Sequence, residues 1–173
     1  MKVIGLAGWS GAGKTTLLTR VIPHLRGAGL RVSVIKHAHH RFDIDTPGKD
    51  SWRHREAGAQ EVLVSSSNRW ALMRELRGGR EPRLPELLQK LSRVDLVVIE
   101  GYKSEQHCKI EVHRAGNGKP FLFPTDPDIV GIAADIAVET SLPSVHLDDI
   151  AGVAAMMRRY AVPIEDVLAM AES

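Results

Sequence analysis

The sequence predicts an α/β fold in which a mostly parallel sheet has helices on both faces and some antiparallel strands. Short apolar segments typical of buried strands alternate along the chain with segments that carry a helical apolar stripe, and strands separated by helices usually pair in parallel. Two adjoining strand-like segments over residues 61–76, and an alternating segment over residues 109–114, favour antiparallel additions. A length of 173 residues suits one domain, so we expect residues 1–173 to form a single unit.

The first half of the chain contains four predicted strands and two predicted helices. Glycine ends the first strand, and Pro23 interrupts the apolar stripe of the first helix and permits a bend there. The short SSN turn predicts a hairpin between the last two strands. In order, the elements are a strand over residues 2–8, a helix over 14–28, a strand over 30–36, a helix from Asp50 or Ser51 to Ala57, and strands over 61–65 and 69–76.

The second half contains three predicted strands and three predicted helices. VDLVVIEG has the strongest strand character, whereas KIEVHR alternates and is expected to keep one face in solvent. An aspartate is expected to begin the fourth helix, and a proline opens the fifth. In order, the elements are a helix over residues 84–91, strands over 94–101, 109–114 and 128–135, a helix from Asp148 or Asp149 to about Tyr160, and a last helix that starts at Pro163.

Composition excludes several classes of protein. The 43% of apolar and 25% of charged residues are typical of a globular chain and exclude a disordered one. A net charge of +2 gives no indication of nucleic acid, so we expect no nucleic-acid partner. No stretch approaches 18 apolar residues, and we expect no membrane association. Cys108 is the single cysteine, which excludes an internal disulfide and predicts a cytoplasmic protein.

Residues 8–15, GWSGAGKT, match G-x-x-x-x-G-K-[ST] at every fixed position, between a predicted strand and a predicted helix. The glycines let the main chain wrap round a phosphate group, and the N–H groups of the loop and the helix start point towards it. Lys14 supplies a cation for the β- and γ-phosphates, and the Thr15 hydroxyl can bind Mg²⁺. The motif therefore predicts a P-loop NTPase-like fold that binds a nucleoside triphosphate. The predicted nucleotide contacts are Gly8, Ser10, Gly11, Ala12, Gly13, Lys14, Thr15 and Thr16.

A second metal residue is predicted at Glu100, which ends the most strand-like segment and precedes Gly101. A carboxylate at the end of a buried strand beside the P-loop can reach Mg²⁺ directly or through water. Thr15 and Glu100 are therefore the predicted metal residues. Asp95 begins the same strand, so we expect it in solvent at the opposite edge of the sheet.

The segment that follows the second predicted strand is rich in charged residues and histidines. In P-loop proteins the end of this strand faces the γ-phosphate. Lys36 and Asp45 are the candidate catalytic residues, because Lys36 can neutralise charge and Asp45 can orient a water, with Asp43 as a further candidate. His37 and Arg53 are candidate ligand contacts, since histidine, lysine and arginine together suit an anion. The alternative for each residue is a solvated polar loop.

Recognition of the base is open between guanine and adenine. The chain contains no N-K-x-D sequence, which reads guanine in many GTPases. The stretch TDPD, residues 125–128, offers carboxylates that can accept from a purine amino group, but it suits a turn built on Pro127 equally well.

Taken together, these residues resemble the MobB family of molybdopterin-guanine dinucleotide biosynthesis adapter proteins. GWSGAGKTTL, KHAHHRFDIDTPGKDSWRHREAGA, VDLVVIEGYK and KIEVHR occur in that family's order and spacing, and the second block is the most specific. The resemblance implies a homodimeric GTP-binding protein that assists molybdenum cofactor guanylyltransferase, the enzyme that joins GMP to molybdopterin. It implies weak GTP hydrolysis at most. It also implies phosphate binding by residues 11–16 and an acidic strand-end residue at Glu100, whereas Cys108 stands where proline is common.

A second phosphorylated ligand follows as a hypothesis. Arg53, His54 and Arg55 lie close together in the sequence and can receive an anion. A molybdopterin-type ligand, whose terminal phosphate would meet these side chains, is therefore a candidate.

Two other functions compete with the adapter. A P-loop small-molecule kinase needs an arginine-bearing lid, and the segment from Arg74 to Arg83 has arginines but lacks the length of a lid. A nickel metallochaperone GTPase is supported only by the histidine cluster of His37, His39 and His40, which has no cysteine nearby.

Overall fold

The computed structural model describes residues 1–38, 42–103 and 105–170. Contacts within the chain separate two compact units. The P-loop unit consists of Met1–His37 and Leu84–Ser173, and the hairpin unit consists of Ala38–Arg83. The single domain expected over residues 1–173 stays a prediction.

Strands and helices alternate through most of the P-loop unit, whereas the described residues of the hairpin unit form one helix and two strands. In chain order the elements are β1 (Lys2–Ala7), α1 (Lys14–Gly27), β2 (Val32–Lys36), α2 (Asp50–Glu56), β3 (Glu61–Ser65), β4 (Trp70–Arg74), α3 (Leu84–Leu88), β5 (Leu96–Glu100), β6 (Lys109–His113), β7 (Ile129–Ala134), β8 (Ser144–His146), α4 (Ile150–Tyr160), β9 (Val162–Pro163) and α5 (Ile164–Met170), with a short 3₁₀ turn at Ala115–Asn117.

The P-loop unit is built on one sheet with the strand order β2–β5–β1–β6–β7–β8, in which all neighbours are parallel. The short strand β9 pairs antiparallel with β1 at Val3 and Lys2. The predicted α/β fold with a mostly parallel sheet is therefore confirmed. Parallel pairing brings the carboxyl ends of β1, β2 and β5 to the same edge of the sheet, which is where ligands bind in such folds.

Successive residues of β1 point to opposite faces of the sheet, and each face is covered by helices. Ile4 and Leu6 belong to a buried cluster that contains the apolar stripes of α1 and α4. Val3 belongs to a second cluster, which contains the buried residues of α3 and α5. Helices on both faces are therefore confirmed, and they leave the loops at the edge of the sheet to form a site.

The alternating segment KIEVHR does not have the predicted wet face. All five residues of β6 are buried, and β6 is parallel to both β1 and β7. Each polar side chain on the expected wet face has a partner from the following segment. Lys109 Nζ lies 3.2 Å from an oxygen of Asp126, Glu111 accepts hydrogen bonds from two backbone N–H groups, and His113 stacks on Phe121. Buried polar groups that are paired in this way need no solvent.

The hairpin unit contains α2 and the antiparallel pair β3–β4, as the sequence predicted. The register places Leu63 opposite Leu72 and Ser65 opposite Trp70. Leu63, Trp70 and Leu72 therefore lie on one face of the hairpin, and their side chains are exposed. Two-stranded hairpins are seldom stable alone.

Some local features differ from expectation. Pro23 lies inside α1 without ending it, and β8 and β9 were not predicted. The fourth helix begins after Asp149, whose side chain accepts from the Gly152 N–H at 2.8 Å, as expected of a cap. Among the residues described, no helix is long and apolar enough to cross a membrane.

Candidate functional site

The P-loop takes the conformation that its glycines make possible. Gly8, Gly11 and Gly13 have φ angles of 143°, 81° and 92°, which L side chains rarely adopt. A Cβ atom at Gly8 would also overlap the carbonyl oxygen of Val112 on β6. The loop leads directly from β1 into α1, so the unpaired N–H groups at the start of the helix face the space above the strand ends.

Lys14 is held by the loop itself. Its Nζ donates to the carbonyl oxygens of Gly8 and Trp9, at 2.8 and 3.0 Å. Burial lowers the pKa of Lys14, and the nearby charges of Lys103 and Lys36 act in the same direction. An anion bound in the loop would oppose this shift, because an opposite charge favours the protonated amine.

Thr15, Lys36 and Glu100 meet where the ends of β2 and β5 approach the start of α1. The register of the sheet sets Lys36 beside Glu100. Thr15 Oγ1 donates to Glu100 Oε1 at 2.6 Å, and Lys36 Nζ lies 3.3 Å from Thr15 Oγ1 and 3.4 Å from Glu100 Oε1. A hydroxyl and a carboxylate are oxygen ligands of the kind that Mg²⁺ prefers, so this group fits the predicted metal.

The other predicted nucleotide contacts lie around the same loop. Ala12 is buried in the core, and the Ser10 carbonyl accepts from Asn117 Nδ2 at 2.9 Å. Thr16 is exposed in the first turn of α1. His37 directly follows β2, where its N–H donates to the Glu100 carbonyl at 2.8 Å and its ring lies 4.6 Å from that of Tyr102.

Sequence reasoning missed a set of residues that lie on the P-loop from later segments. The Trp9 indole donates to the Pro120 carbonyl at 2.8 Å, and Lys103 and Lys119 lie over its ring, with Nζ 4.7 and 5.9 Å from the centroid. A Cβ atom built at Gly13 would lie 3.5 Å from the Arg114 guanidinium. Three cations therefore surround the loop in addition to those predicted. Only the position of Lys103, three residues after Glu100, offered a signal in the sequence.

Two other predicted site residues, Asp45 and Arg53, belong to the hairpin unit. Asp45 accepts from Ser51 Oγ at 2.7 Å and from Arg55 Nε at 3.2 Å, and its side chain is 8% exposed. The Ser51 hydrogen bond is the main reason why the pKa of Asp45 is lowered. Arg53 is exposed on α2. The roles assigned to Asp45 and Arg53 stay predictions.

Arg55 has a structural explanation that the sequence did not suggest. Its guanidinium contacts Asp43 at 2.8 Å and Glu75 at 2.8 Å in addition to Asp45, and its side chain is 13% exposed. The guanidinium donors of Arg55, which the sequence suggested for binding a phosphate, are therefore paired with three carboxylates.

The TDPD stretch also has a structural role. Asp126 and Asp128 lie 3.2 and 3.3 Å from the buried Nζ of Lys109. Both carboxylates compensate a buried charge, so the structure favours the turn over base recognition.

The histidine cluster is described only in part, because His39 and His40, like the neighbouring Arg41, lie outside the described residues. Within residues 1–38, 42–103 and 105–170, no group of three or more histidine, cysteine, aspartate or glutamate side chains is arranged to hold a metal ion.

Comparisons with known proteins identify the family of this chain. The family model described as molybdopterin guanine dinucleotide synthesis protein B, MobB, matches residues 3–135. The molybdopterin-guanine dinucleotide biosynthesis adapter protein of Escherichia coli (strain K12) is 39% identical over 155 residues, covering 88% of this chain and 89% of the relative. Its counterpart in Haemophilus influenzae (strain ATCC 51907 / DSM 11121 / KW20 / Rd) is 38% identical over 160 residues, covering 91% and 88%.

Solved structures show the same architecture. The crystal structure of molybdopterin-guanine biosynthesis protein B (mobB) aligns with a TM-score of 0.71 at 28% identity and covers 91% of this chain and 98% of that one. The crystal structure of Bacillus subtilis MobB gives a TM-score of 0.71 at 22% identity and covers 92% and 98%, which supports the fold alone. The resemblance inferred from the sequence motifs is confirmed, and the chain belongs to the MobB family.

Proposed function

We propose that this chain is a GTP-binding adapter protein of molybdopterin guanine dinucleotide biosynthesis, which binds Mg²⁺ with its nucleotide and assists a molybdenum cofactor guanylyltransferase. The observation that carries the proposal is the 2.6 Å hydrogen bond between Thr15 Oγ1 and Glu100 Oε1. It joins the P-loop hydroxyl to a carboxylate on a neighbouring strand, which is how P-loop proteins place the ligands of a Mg²⁺–triphosphate complex.

The choice of guanine rests on the relatives. Both relatives with 38–39% identity are adapter proteins of molybdopterin-guanine dinucleotide biosynthesis. The family model that matches the chain also describes a protein of molybdopterin guanine dinucleotide synthesis. A guanine nucleotide is the ligand that connects a P-loop to such a product. The triphosphate itself is supported by Lys14 and by the three glycines of positive φ.

We propose weak GTP hydrolysis at most. Lys36 is the residue proposed to neutralise charge on the terminal phosphate, and the 3.3 Å distance from its Nζ to Thr15 Oγ1 supports this role. Asp45 is kept as the proposed water-orienting residue on the sequence pattern alone, since in the structure its carboxylate accepts from Ser51 and Arg55. The P-loop contains no arginine, and an arginine supplied in cis or by a partner raises hydrolysis by roughly 10³–10⁵.

A molybdopterin-type molecule is the proposed second ligand. Arg53 and His54 are exposed on α2 and remain its proposed phosphate contacts, whereas Arg55 is withdrawn because it binds three carboxylates.

We place the protein in the cytoplasm, since its one cysteine gives no internal disulfide.

A homodimer is proposed on the hairpin unit. Leu63, Trp70 and Leu72 are 60%, 65% and 48% exposed on one face of β3–β4. Within the described part of the chain these two strands pair only with each other, so their outer edges have no ladder partner. A second copy of the same face would cover the apolar side chains by two-fold symmetry.

The nucleotide site is tested by titrating Mg·GTP and Mg·ATP into the full chain by calorimetry. We expect tighter binding of GTP. Lys14→Ala should weaken it about a hundredfold, because the charge-assisted hydrogen bonds to phosphate are lost. Glu100→Gln should lower the gain in affinity from Mg²⁺ by about tenfold. Lys2→Ala, at the amino end of β1, and Asp95→Asn, just before β5, are the matched controls. They lie at the edge of the sheet away from the P-loop and should change neither the GTP affinity nor its gain from Mg²⁺.

The adapter role is tested by capture of a guanylyltransferase from extract with and without GTP. Retention of that enzyme by the unmodified chain, and its loss with Lys14→Ala, supports an adapter that works with nucleotide bound. If Lys14→Ala binds GTP with unchanged affinity, the proposed nucleotide site is wrong. If the guanylyltransferase is captured equally with and without GTP, the proposed coupling between nucleotide binding and partner binding is wrong.

A further inference from the structure

We propose that Lys103 reads the terminal phosphate of the bound nucleotide: its ammonium group rests on the Trp9 ring and transfers to the γ-phosphate, so that the triphosphate is bound more tightly than the diphosphate. The inference deepens the nucleotide site and rests on the proposed function.

The metal residues fix the direction in which a triphosphate lies. Thr15 and Glu100 would hold the Mg²⁺ that accompanies a triphosphate, and the ion would offset charge at its terminal end. Thr15 and Glu100 lie together at the carboxyl end of β5, and Lys36 at the end of β2 adjoins them. The terminal phosphate therefore belongs on the β5 side of the P-loop, close to the turn that follows Glu100.

That turn has a conformation that its sequence does not favour. Gly101 and Tyr102 have φ angles of 102° and 51°, and the positive value is rare for a bulky residue such as tyrosine. Tyr102 is 8% exposed, and its ring lies 4.6 Å from the His37 ring in a tilted arrangement. A Cβ atom at Gly101 would lie 2.8 Å from His37 Cβ, so only glycine fits there. Such strain persists where the surroundings hold it, and it is common at functional sites.

The main chain of Lys103 is also held by a hydrogen bond from β6. The Lys103 carbonyl accepts from the buried Nζ of Lys109 at 3.1 Å, and that ammonium group is balanced by Asp126 and Asp128. The turn is thus held on one side by Tyr102 and His37 and on the other by Lys109. A fixed backbone limits the Lys103 side chain to the space beside the P-loop.

The Lys103 ammonium group lies over a residue of the P-loop. Its Nζ is 4.7 Å from the centroid of the Trp9 ring, which the Pro120 carbonyl holds in place. The Trp9 carbonyl accepts from Lys14 Nζ at 3.0 Å. Both lysines therefore attach to the same residue, one above its ring and one at its carbonyl, and the charge of Lys103 contributes to the lowered pKa of Lys14.

The relative strength of two interactions gives the direction of the transfer. A cation–π contact at an exposed site is weaker than a charge-assisted hydrogen bond to a phosphate oxygen. The Trp9 ring holds the cation near the site, and a γ-phosphate competes for it successfully. A diphosphate ends one phosphate earlier and leaves Lys103 on the ring.

Lys119 is a matched control on the same ring. Its Nζ lies 5.9 Å from the Trp9 centroid, and it belongs to the segment after β6 instead of the turn after β5. Removal of either lysine subtracts one positive charge near the P-loop. Only removal of Lys103 is expected to discriminate between nucleotides that differ by one phosphate.

The test compares affinities for the non-hydrolysable Mg·GppNHp and for Mg·GDP, by calorimetry on the full chain. We expect Lys103→Ala to weaken GppNHp binding about tenfold and to leave GDP binding within about twofold. Lys103→Arg should restore most of the difference, since it keeps the charge. Lys119→Ala should shift both affinities by one common factor.

A second readout follows Trp9 directly. The chain has three tryptophans, so a background of Trp52→Phe and Trp70→Phe leaves Trp9 as the sole tryptophan. Its fluorescence should change with GppNHp and not with GDP, and Lys103→Ala should abolish the difference.

Two results would overturn the proposal: Lys103→Ala weakens GppNHp and GDP binding equally, or Lys119→Ala changes the two affinities in the same way as Lys103→Ala. In either case Lys103 would contribute only a general electrostatic attraction for nucleotides. That result leaves wild-type GTP binding intact, so it is distinct from failure of the proposed function. A wild-type chain that prefers adenine overturns the choice of guanine, and AppNHp and ADP then test Lys103 in the same way. A wild-type chain that binds neither nucleotide overturns both proposals.

Discussion

His107 is a buried histidine with one ring nitrogen that lacks a partner among the described residues. It is 1% exposed, and its Nδ1 lies 3.0 Å from the Glu105 carbonyl, whereas Nε2 has no hydrogen-bond partner there. A Cβ atom at Gly5 of β1 would overlap Nε2, so the ring packs directly on the central strand. Burial, followed by the charge of Lys109, lowers the pKa of His107 to about 4. The folded protein therefore holds this ring neutral.

The free energy of unfolding should fall between about pH 6.5 and pH 4 because of His107. The unfolded chain takes up a proton near its ordinary pKa of 6.5, whereas the folded chain does so only near 4. The stabilisation is complete above pH 6.5 and is lost as the pH decreases through this window, by about 3 kcal/mol at most. Urea unfolding of the wild type and of His107→Gln at pH 7.5 and pH 5 measures the effect, and the variant should lack this part of the pH dependence.

His146 provides the control for that experiment. Its side chain is 54% exposed beside Asp148, so His146→Gln should keep the wild-type slope. Carboxylates such as Asp95, whose pKa is lowered by its hydrogen bond with Arg31, contribute stability that is lost only at lower pH, below about 4. An identical slope in the wild type and His107→Gln would contradict the assignment.

At the scale of elements, α4 depends on the residue that precedes it. Asp149 Oδ1 accepts from the Gly152 N–H at 2.8 Å and satisfies a donor that the helix itself leaves free. The stripe of Val153, Ala154 and Met157 then packs into the core beside α1. Asp149→Ala should lower the free energy of unfolding by about 1 kcal/mol, measured by chemical denaturation.

The preceding aspartate separates the cap from simple loss of charge. Asp148 is paired with Arg20 at 2.6 Å, but both side chains are well exposed at 69% and 47%. Asp148→Ala should therefore lower the free energy of unfolding much less than Asp149→Ala does. If it destabilises the chain as much as Asp149→Ala does, the stabilisation comes from charge near the helix and not from the cap.

Elements whose signals are local could be predicted from the sequence. The order of β1, P-loop and α1 follows from an apolar run, three glycines and a helical stripe that adjoin one another. The same holds for β3–β4, where a short turn sets the pairing. Thr15 and Glu100 lie together because strand order in a parallel sheet brings their positions to one edge, and their metal role stays a prediction.

What depends on distant partners could not be predicted. Alternation in KIEVHR indicates a half-exposed strand equally well whether the polar face meets water or meets Asp126 and Asp128, about 17–19 residues later. The same reason hid Lys103, whose position depends on the left-handed turn at Tyr102 and on the buried Lys109. Arg55 was assigned to phosphate because its three carboxylates are scattered along the chain.

At the scale of the molecule, the hairpin unit carries an apolar face that one copy of the chain exposes. Glu61 and Arg74 lie 3.5 Å apart next to Leu63 and Leu72. The face thus combines apolar side chains with one charge of each sign. Such a face is self-complementary about a two-fold axis, since each charge can meet its opposite in the second copy. Wide exposure of apolar side chains is also unfavourable for a monomer in water.

Leu72→Glu should convert the proposed dimer into a monomer. The two-fold axis would bring two new carboxylates close together in an apolar interface, where desolvation and repulsion oppose association by a factor of at least about a hundred. Light scattering coupled to size-exclusion chromatography measures the mass. Ile136→Glu, an equally non-conservative change of a residue that is 45% exposed in the P-loop unit, should leave the mass unchanged. A wild type with the 19.0 kDa mass of one chain would exclude the dimer, and a dimeric Leu72→Glu chain would place the interface on another face.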